Sequence, residues 1–214
     1  MELRIDYLCR LSGALCNGSE YSIKQIMLSA IRNNVPIAHL REVILMSYLF
    51  DGFPTALEGF RILDDVTASD INTRDDIQWT ADNLALWRER GEKLCRQVYG
   101  DKYESLMERV SNISPELKAA MLVEGYGKVL SRDTLPIVER ELCIVAMLAV
   151  KNKPRQLESH ALGALRCGAL EADLQRVVKL LGEMLSPERC AEAGAFIDNV
   201  IHKFKKKQTC KLTS

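Results

Sequence analysis

The stretch "RELCIVAMLAVKNKPRQLESHALGALRCG", residues 140–168, holds one histidine among small apolar residues. Leu157, His160, Ala161, Ala164, Leu165 and Gly168 recur at helical spacing, so His160 lies on the face a helix buries. Imidazole titrates near neutrality and can carry a proton in either direction, which makes His160 a candidate general acid or base. The same placement suits a hydrogen-bonded core residue, and spacing alone leaves both readings open. His39 sits beside Arg41 and Glu42, where a histidine is expected to be solvated. The seven cysteines are odd in number and none is paired as CxxC. That pattern indicates neither a disulfide framework nor a zinc site, so no metal and no cofactor is expected.

The elements that must position His160 are helices. Strict alternation is absent, and the apolar periodicity predicts helices over 6–16, 20–33, 37–50, 54–63, 80–98, 101–111, 115–124 and 139–151. Gly52-Phe53-Pro54 and Asn33-Asn34 punctuate the first group. Residues 64–78 are polar and acidic, as a linker would be, and "GYGKVLSRDTLP" reads as a loop ending at Pro136. The lysine-rich stretch after His202 reads as a solvated, frayed tail. Trp79 and Trp87 are expected to pack.

From Pro136 onward the pattern of the first sixty residues returns at an offset of 134. Leu8-Cys9 aligns with Leu142-Cys143, Leu28, Ala30 and Arg32 with Leu162, Ala164 and Arg166, and Leu40 and Val43 with Leu174 and Val177. Pro54 meets Pro187 only after a one-residue slip. This register predicts an internal duplication: a first half over 1–66, a polar connection over 67–83, a second half over 84–204 and a basic tail over 205–214. In the first half Ile26 stands for His160, Tyr7 for Glu141 and Asp6 for Arg140, so that copy is degenerate and the second carries any chemistry.

The bulk properties narrow the classes. With 214 residues, 47% of them hydrophobic, the chain can bury one good core or two small ones sharing an interface. The formal net charge of zero argues against a nucleic-acid partner. No apolar run approaches a bilayer span, and "MELRIDYLCRLSG" lacks a signal peptide's apolar core. The expectation is a cytoplasmic protein with no membrane contact.

The segment "LPIVERELCIVAMLAVKNKPRQLESHALGALRCGALEADLQRVVKLL" resembles the core of the carboxymuconolactone decarboxylase family, related to the AhpD-like alkylhydroperoxidases. The features that match are Arg140-Glu141 opening an apolar helix, a polar turn at 151–155, His160 in the next helix and Cys167-Gly168 closing it. "WRERGEKLCRQVYGDKY" and the Gly52, Pro54 and Ala56 element are similar to other parts of that family. The resemblance implies an all-α fold and a symmetric homo-oligomer, a trimer or hexamer. It also implies two chemistries. The hydroperoxidase chemistry needs cysteines at 153 and 156, where this chain has Lys153 and Gln156, so a peroxidase is disfavoured.

The decarboxylase chemistry needs a proton carrier and cations for a carboxylated substrate. The resemblance then gives His160 and Glu141 the catalytic places, with Arg132 and Arg140 as a carboxylate clamp and Lys153 adding charge at the mouth. Taken alone, Glu141 would be a first-turn acid favoured by the helix dipole, and the three cations would be ordinary surface groups. The expected activity is that of a cofactor-independent lyase or isomerase on a small carboxylated lactone or keto acid. The alternative is a non-catalytic oligomeric ligand-binding or scaffold protein.

Overall fold

A computed structural model describes residues 3–67 and 78–212. Among them all regular structure is helical: α1 (Leu3–Asn17), α2 (Glu20–Arg32), α3 (Ile37–Asp51), α4 (Phe53–Thr67), α5 (Ala81–Tyr99), α6 (Tyr103–Ile113), α7 (Pro115–Ala120), a π-helical segment (Met121–Leu130), α8 (Ile137–Val150), α9 (Pro154–Arg166), α10 (Glu171–Leu180) and α11 (Pro187–Leu212). The all-α expectation holds. Side chains and prolines fix the starts. Ser19, Thr80 and Ser114 each accept a hydrogen bond from a backbone N–H three residues on, and Pro115 and Pro154 occupy first-turn positions.

The centre is α1 lying against α8. Every residue of α8 from Arg140 to Ala149 is buried, so this helix presents no solvent face and shows little amphipathic contrast. Around the pair, α1 also packs on α2, α3 and α10, and α8 packs on α9, α10 and α3. Several helix starts keep one spacing: Glu20 and Pro154, Ile37 and Glu171, Phe53 and Pro187 are each 134 residues apart. Asn34 (φ 59°) and Gly168 (φ 106°), at the same spacing, both turn the chain left-handed after α2 and α9.

The expected loop over 125–136 needs correction, because its first half is helical. Residues Met121–Leu130 wind as a π-helix against α5. Within it Gly127 serves close approach of the helices. A Cβ there would lie 1.9 Å from the Trp87 carbonyl oxygen, and one at Gly91 would lie 1.9 Å from that of Leu122. The helix expected over 54–63 runs on to Thr67, so the start of the acidic stretch is also helical. The rest of that linker, 68–77, lies outside the described residues. The lysine-rich tail is likewise not frayed over its described part: α11 continues to Leu212. Trp79 and Trp87 do pack, edge to face at 5.1 Å, with the Lys128 ammonium 4.3 Å over the Trp79 ring. No described helix is long and apolar enough to cross a membrane.

Candidate active site

Glu141 comes from the second turn of α8, where Glu139 and not Glu141 is the first-turn acid, and His160 from the second turn of α9. The two helices pack side by side, which brings His160 Nδ1 to 2.9 Å from Glu141 Oε2. Glu141 is fully buried and His160 only 6% exposed, so the bond is sheltered from competing water. The approach depends on Gly163, one turn beyond His160. A Cβ at that position would meet Glu141 Oε2 at 2.8 Å and Val98 Cγ1 at 2.7 Å. The imidazole is held edge-on by two rings, Phe50 at 5.6 Å and Tyr99 at 6.4 Å. Phe50 belongs to α3, so the N-terminal part of the chain supplies one ring contact to a histidine whose polar partner, Glu141, comes from the C-terminal part.

His160 opens on a cavity of about 540 Å³, large enough for a small organic ligand. Tyr99 at the end of α5, Arg109 on α6 and Arg155 and Gln156 at the start of α9 also line it. Behind the imidazole, Glu141 Oε1 and the Tyr126 hydroxyl are buried without a protein hydrogen-bond partner. Burial raises the phenol pKa of both Tyr99 and Tyr126, so each keeps its proton as a donor across the neutral range. Among the described residues no group of acids, cysteines and histidines has the geometry of a metal site.

Of the five residues singled out in the sequence, His160 and Glu141 meet and the three cations do not join them. Arg140 is wholly buried, donating to Glu42 Oε2 (2.9 Å) and to the carbonyl oxygens of Leu135 (3.1 Å) and Arg132 (2.8 Å). The Arg132 guanidinium, 2.8 Å from Glu42 Oε1, is tied to the same carboxylate. Lys153 lines a separate cavity of about 200 Å³ with Leu157 and Phe196. In place of the expected clamp, Arg109 and Arg155 supply the cationic groups at the His160 cavity. Sequence reasoning missed both. Arg155 ends the stretch that the sequence presents as a polar turn but opens α9, and Arg109 interrupts the apolar spacing of Leu106, Val110 and Ile113. Only tertiary packing makes them neighbours of His160. His39 is also only half-exposed, with the Arg4 guanidinium 3.1 Å from its Nδ1.

The thiols near the site are poor nucleophiles. Burial pushes Cys95 up to about 12 and Cys167 up to about 11, with Glu141 adding to both shifts. Contact with Cys143, then burial, raises Cys9. Cys167 is half-buried and can be tested directly. Its pKa lies about two units above the ordinary 9.0, so at pH 8 its thiolate fraction is roughly a hundredfold smaller than that of a free thiol. Iodoacetamide should therefore alkylate Cys167 about a hundredfold more slowly in the folded chain than in urea, with a rate still rising at pH 10. Mass spectrometry of tryptic peptides reads both quantities, and folded-state labelling as fast as in urea would contradict the burial argument.

No family model matches the sequence. The chain is similar to Peroxisomal protein 2 of Schizosaccharomyces pombe (strain 972 / ATCC 24843), with 29% identity over 131 residues. That match covers 61% of this chain and 61% of that protein's length.

Proposed function

We propose that the chain is a cofactor-independent acid–base enzyme, a lyase or isomerase acting on a small carboxylated compound, with Glu141 and His160 as its centre. The observation that carries the reading is the buried 2.9 Å bond between these two side chains at the wall of a ligand-sized cavity. With Nδ1–H donated to Glu141, Nε2 is the basic nitrogen. His160 Nε2 takes a proton from a carbon next to a carbonyl and returns it elsewhere on the substrate, which isomerises it. In the decarboxylating variant the proton is delivered to the carbon that has lost carbon dioxide. Arg109 and Arg155 hold the substrate carboxylate.

The carboxymuconolactone-decarboxylase-like fold and the internal duplication belong to the same proposal. Their support is the recurrent 134-residue spacing of helix starts and of two left-handed turns. An ion pair adds to it. Asp6 of α1 pairs with Arg176 of α10, and Arg140 of α8 pairs with Glu42 of α3. Asp6 and Arg140 are 134 residues apart, as are Glu42 and Arg176, so the same bridge occurs twice with its charges exchanged. A homo-oligomer remains part of the proposal on the strength of the resemblance. A peroxisomal address, suggested by the relative's name, stands beside the cytoplasmic one, and imaging the tagged chain separates them.

The test is deuterium incorporation from heavy water into a panel of 2-keto acids and lactone carboxylates, followed by NMR. His160→Ala and Glu141→Gln should each slow exchange at least about a hundredfold, the range of positioned acid–base groups. Ile26→Ala, at the equivalent place in the first half, should leave exchange unchanged. Ile26 is only half-buried, so its stability cost falls below the 2–5 kcal/mol typical of fully buried aliphatic truncations. Exchange that survives His160→Ala would refute the reading.

A further inference from the structure

We infer that the ligand of the His160 cavity is an amphiphilic monoanion: one carboxylate bound by Arg109 and Arg155, and an unbranched apolar chain laid along α6. The inference rests on the reading of that cavity as a ligand site and adds the chemical class of the occupant.

Three observations lead to it. The first is the state of the two arginines. Arg4, Arg10, Arg61, Arg96, Arg132, Arg140, Arg176 and Arg189 each face a carboxylate within 3.0 Å. Arg109 and Arg155 have no such partner among the described residues, a state they share with Arg32, Arg41, Arg90 and Arg166, but these two line one cavity together with His160. Two guanidinium groups converging on one space bind a carboxylate through paired N–H donors. The carboxylate that also lines the cavity, Glu158, is already neutralised by the Lys203 ammonium at 2.9 Å. The remaining titratable groups facing the space are the Tyr99 phenol and His160.

The second observation is the wall opposite α9. Leu106, Val110 and Ile113 stand at i, i+4 and i+7 on α6 and all line the cavity, with Met121 beyond them. Leu106 and Val110 are half-buried and Ile113 is 74% exposed, so the stripe keeps apolar surface in contact with water. An apolar chain along this stripe would remove it from water. At 1.5 Å per residue the stripe from Leu106 to Ile113 is about 10 Å long, and with Arg109 inside that span it sets an upper limit of roughly eight carbons on the chain.

The third observation decides the charge. The cationic groups are confined to one pair, and the rest of the α6 wall is aliphatic. A second carboxylate laid along that wall would lie against Leu106, Val110 and Ile113, with only the neutral side chains of Gln156 and Ser159 across the cavity on α9, so its lost hydration would be poorly compensated. The cavity therefore selects against dicarboxylates of the same length.

Calorimetric titration of the full chain with octanoate, with the dicarboxylate suberate and with octanol tests the assignment. Octanoate should saturate the chain, and suberate and octanol should each bind at least tenfold more weakly. The double variant Arg109→Gln/Arg155→Gln should weaken octanoate at least tenfold and leave octanol unchanged, while Val110→Asp should weaken both. Far-ultraviolet circular dichroism verifies that each variant is folded, and all of these positions are at the surface or half-buried. Suberate binding as tightly as octanoate, octanoate binding insensitive to the arginine pair, or no octanoate binding at all would overturn the inference. These outcomes separate from the catalytic one. Proton exchange on short keto acids without octanoate binding sinks only the amphiphile. Octanoate binding with no exchange on any keto acid sinks only the enzyme.

Discussion

Gly91→Ala and Gly127→Ala should each destabilise the chain by about 3 kcal/mol or more, the upper range for forced overpacking. Helix propensity predicts the opposite sign, since alanine is favoured over glycine by about 1 kcal/mol in a helix interior. Sterics win because the obstructing atoms are backbone. The added methyl would stand 1.9 Å from the Leu122 carbonyl oxygen at position 91, or 1.9 Å from that of Trp87 at position 127. Neither oxygen can swing aside as a side chain would, so α5 and the π-helical segment must separate. Gly125→Ala is the internal control. Its nearest obstacle is the Ala120 carbonyl oxygen at 3.9 Å, an ordinary contact, and the substitution should be neutral or slightly stabilising. Urea unfolding midpoints distinguish the three variants. A loss at Gly125 equal to that at Gly127 would mean that the π-helical winding, and not close approach, demands glycine.

Glu42→Gln should cost about 3–5 kcal/mol, because it leaves a buried guanidinium without its counter-charge. Arg140 is fully buried, and burial already lowers its pKa against the opposing pull of Glu42. Removing Glu42 takes away the stabilising half of that balance. The Arg132 side chain, 42% exposed, can turn to water and should contribute little to the loss. For a chain of this size the change corresponds to a melting temperature lower by roughly 10 °C. Asp6→Asn provides the contrast. Its partner Arg176 is 48% exposed and can turn to water, so the loss should be clearly smaller. The double change Glu42→Leu/Arg140→Met should recover most of the stability, since apolar groups of similar volume often replace a buried ion pair without loss. Equal melting points for Glu42→Gln and Asp6→Asn would show that burial does not set the cost.

The helical architecture was readable because its signals are local. Apolar periodicity, the Ser19 and Thr80 caps and Pro136 before α8 act within a turn or two of their own positions. His160 was readable as a candidate from its place in the buried stripe of α9, and Glu141 only through the family resemblance. The cations were not readable. Whether an arginine is solvated or buried depends on a partner, and for Arg140 that partner is Glu42, 98 residues away. Arg109 and Arg155 lie on helices that meet only in the folded chain. The π-helical segment was misread for a related reason, since glycine serves both chain reversal and close helix approach, and composition does not separate the two.

The exchanged ion pair has a consequence for partner choice. Asp6 and Glu42 are both acidic and lie in the N-terminal part, while Arg140 and Arg176 are both basic and lie in the C-terminal part. Two N-terminal parts packed together in this way would set Asp6 against Glu42 twice, and two C-terminal parts would set Arg140 against Arg176 twice. Only the unlike combination makes two salt bridges, and like charges opposed at either contact would repel. On the proposed duplication, each part would thus reject its own kind. If two chains were to exchange segments, an N-terminal part would still have to dock on a C-terminal one, so every His160 imidazole would keep a Phe50 ring against it whichever chain supplied that ring.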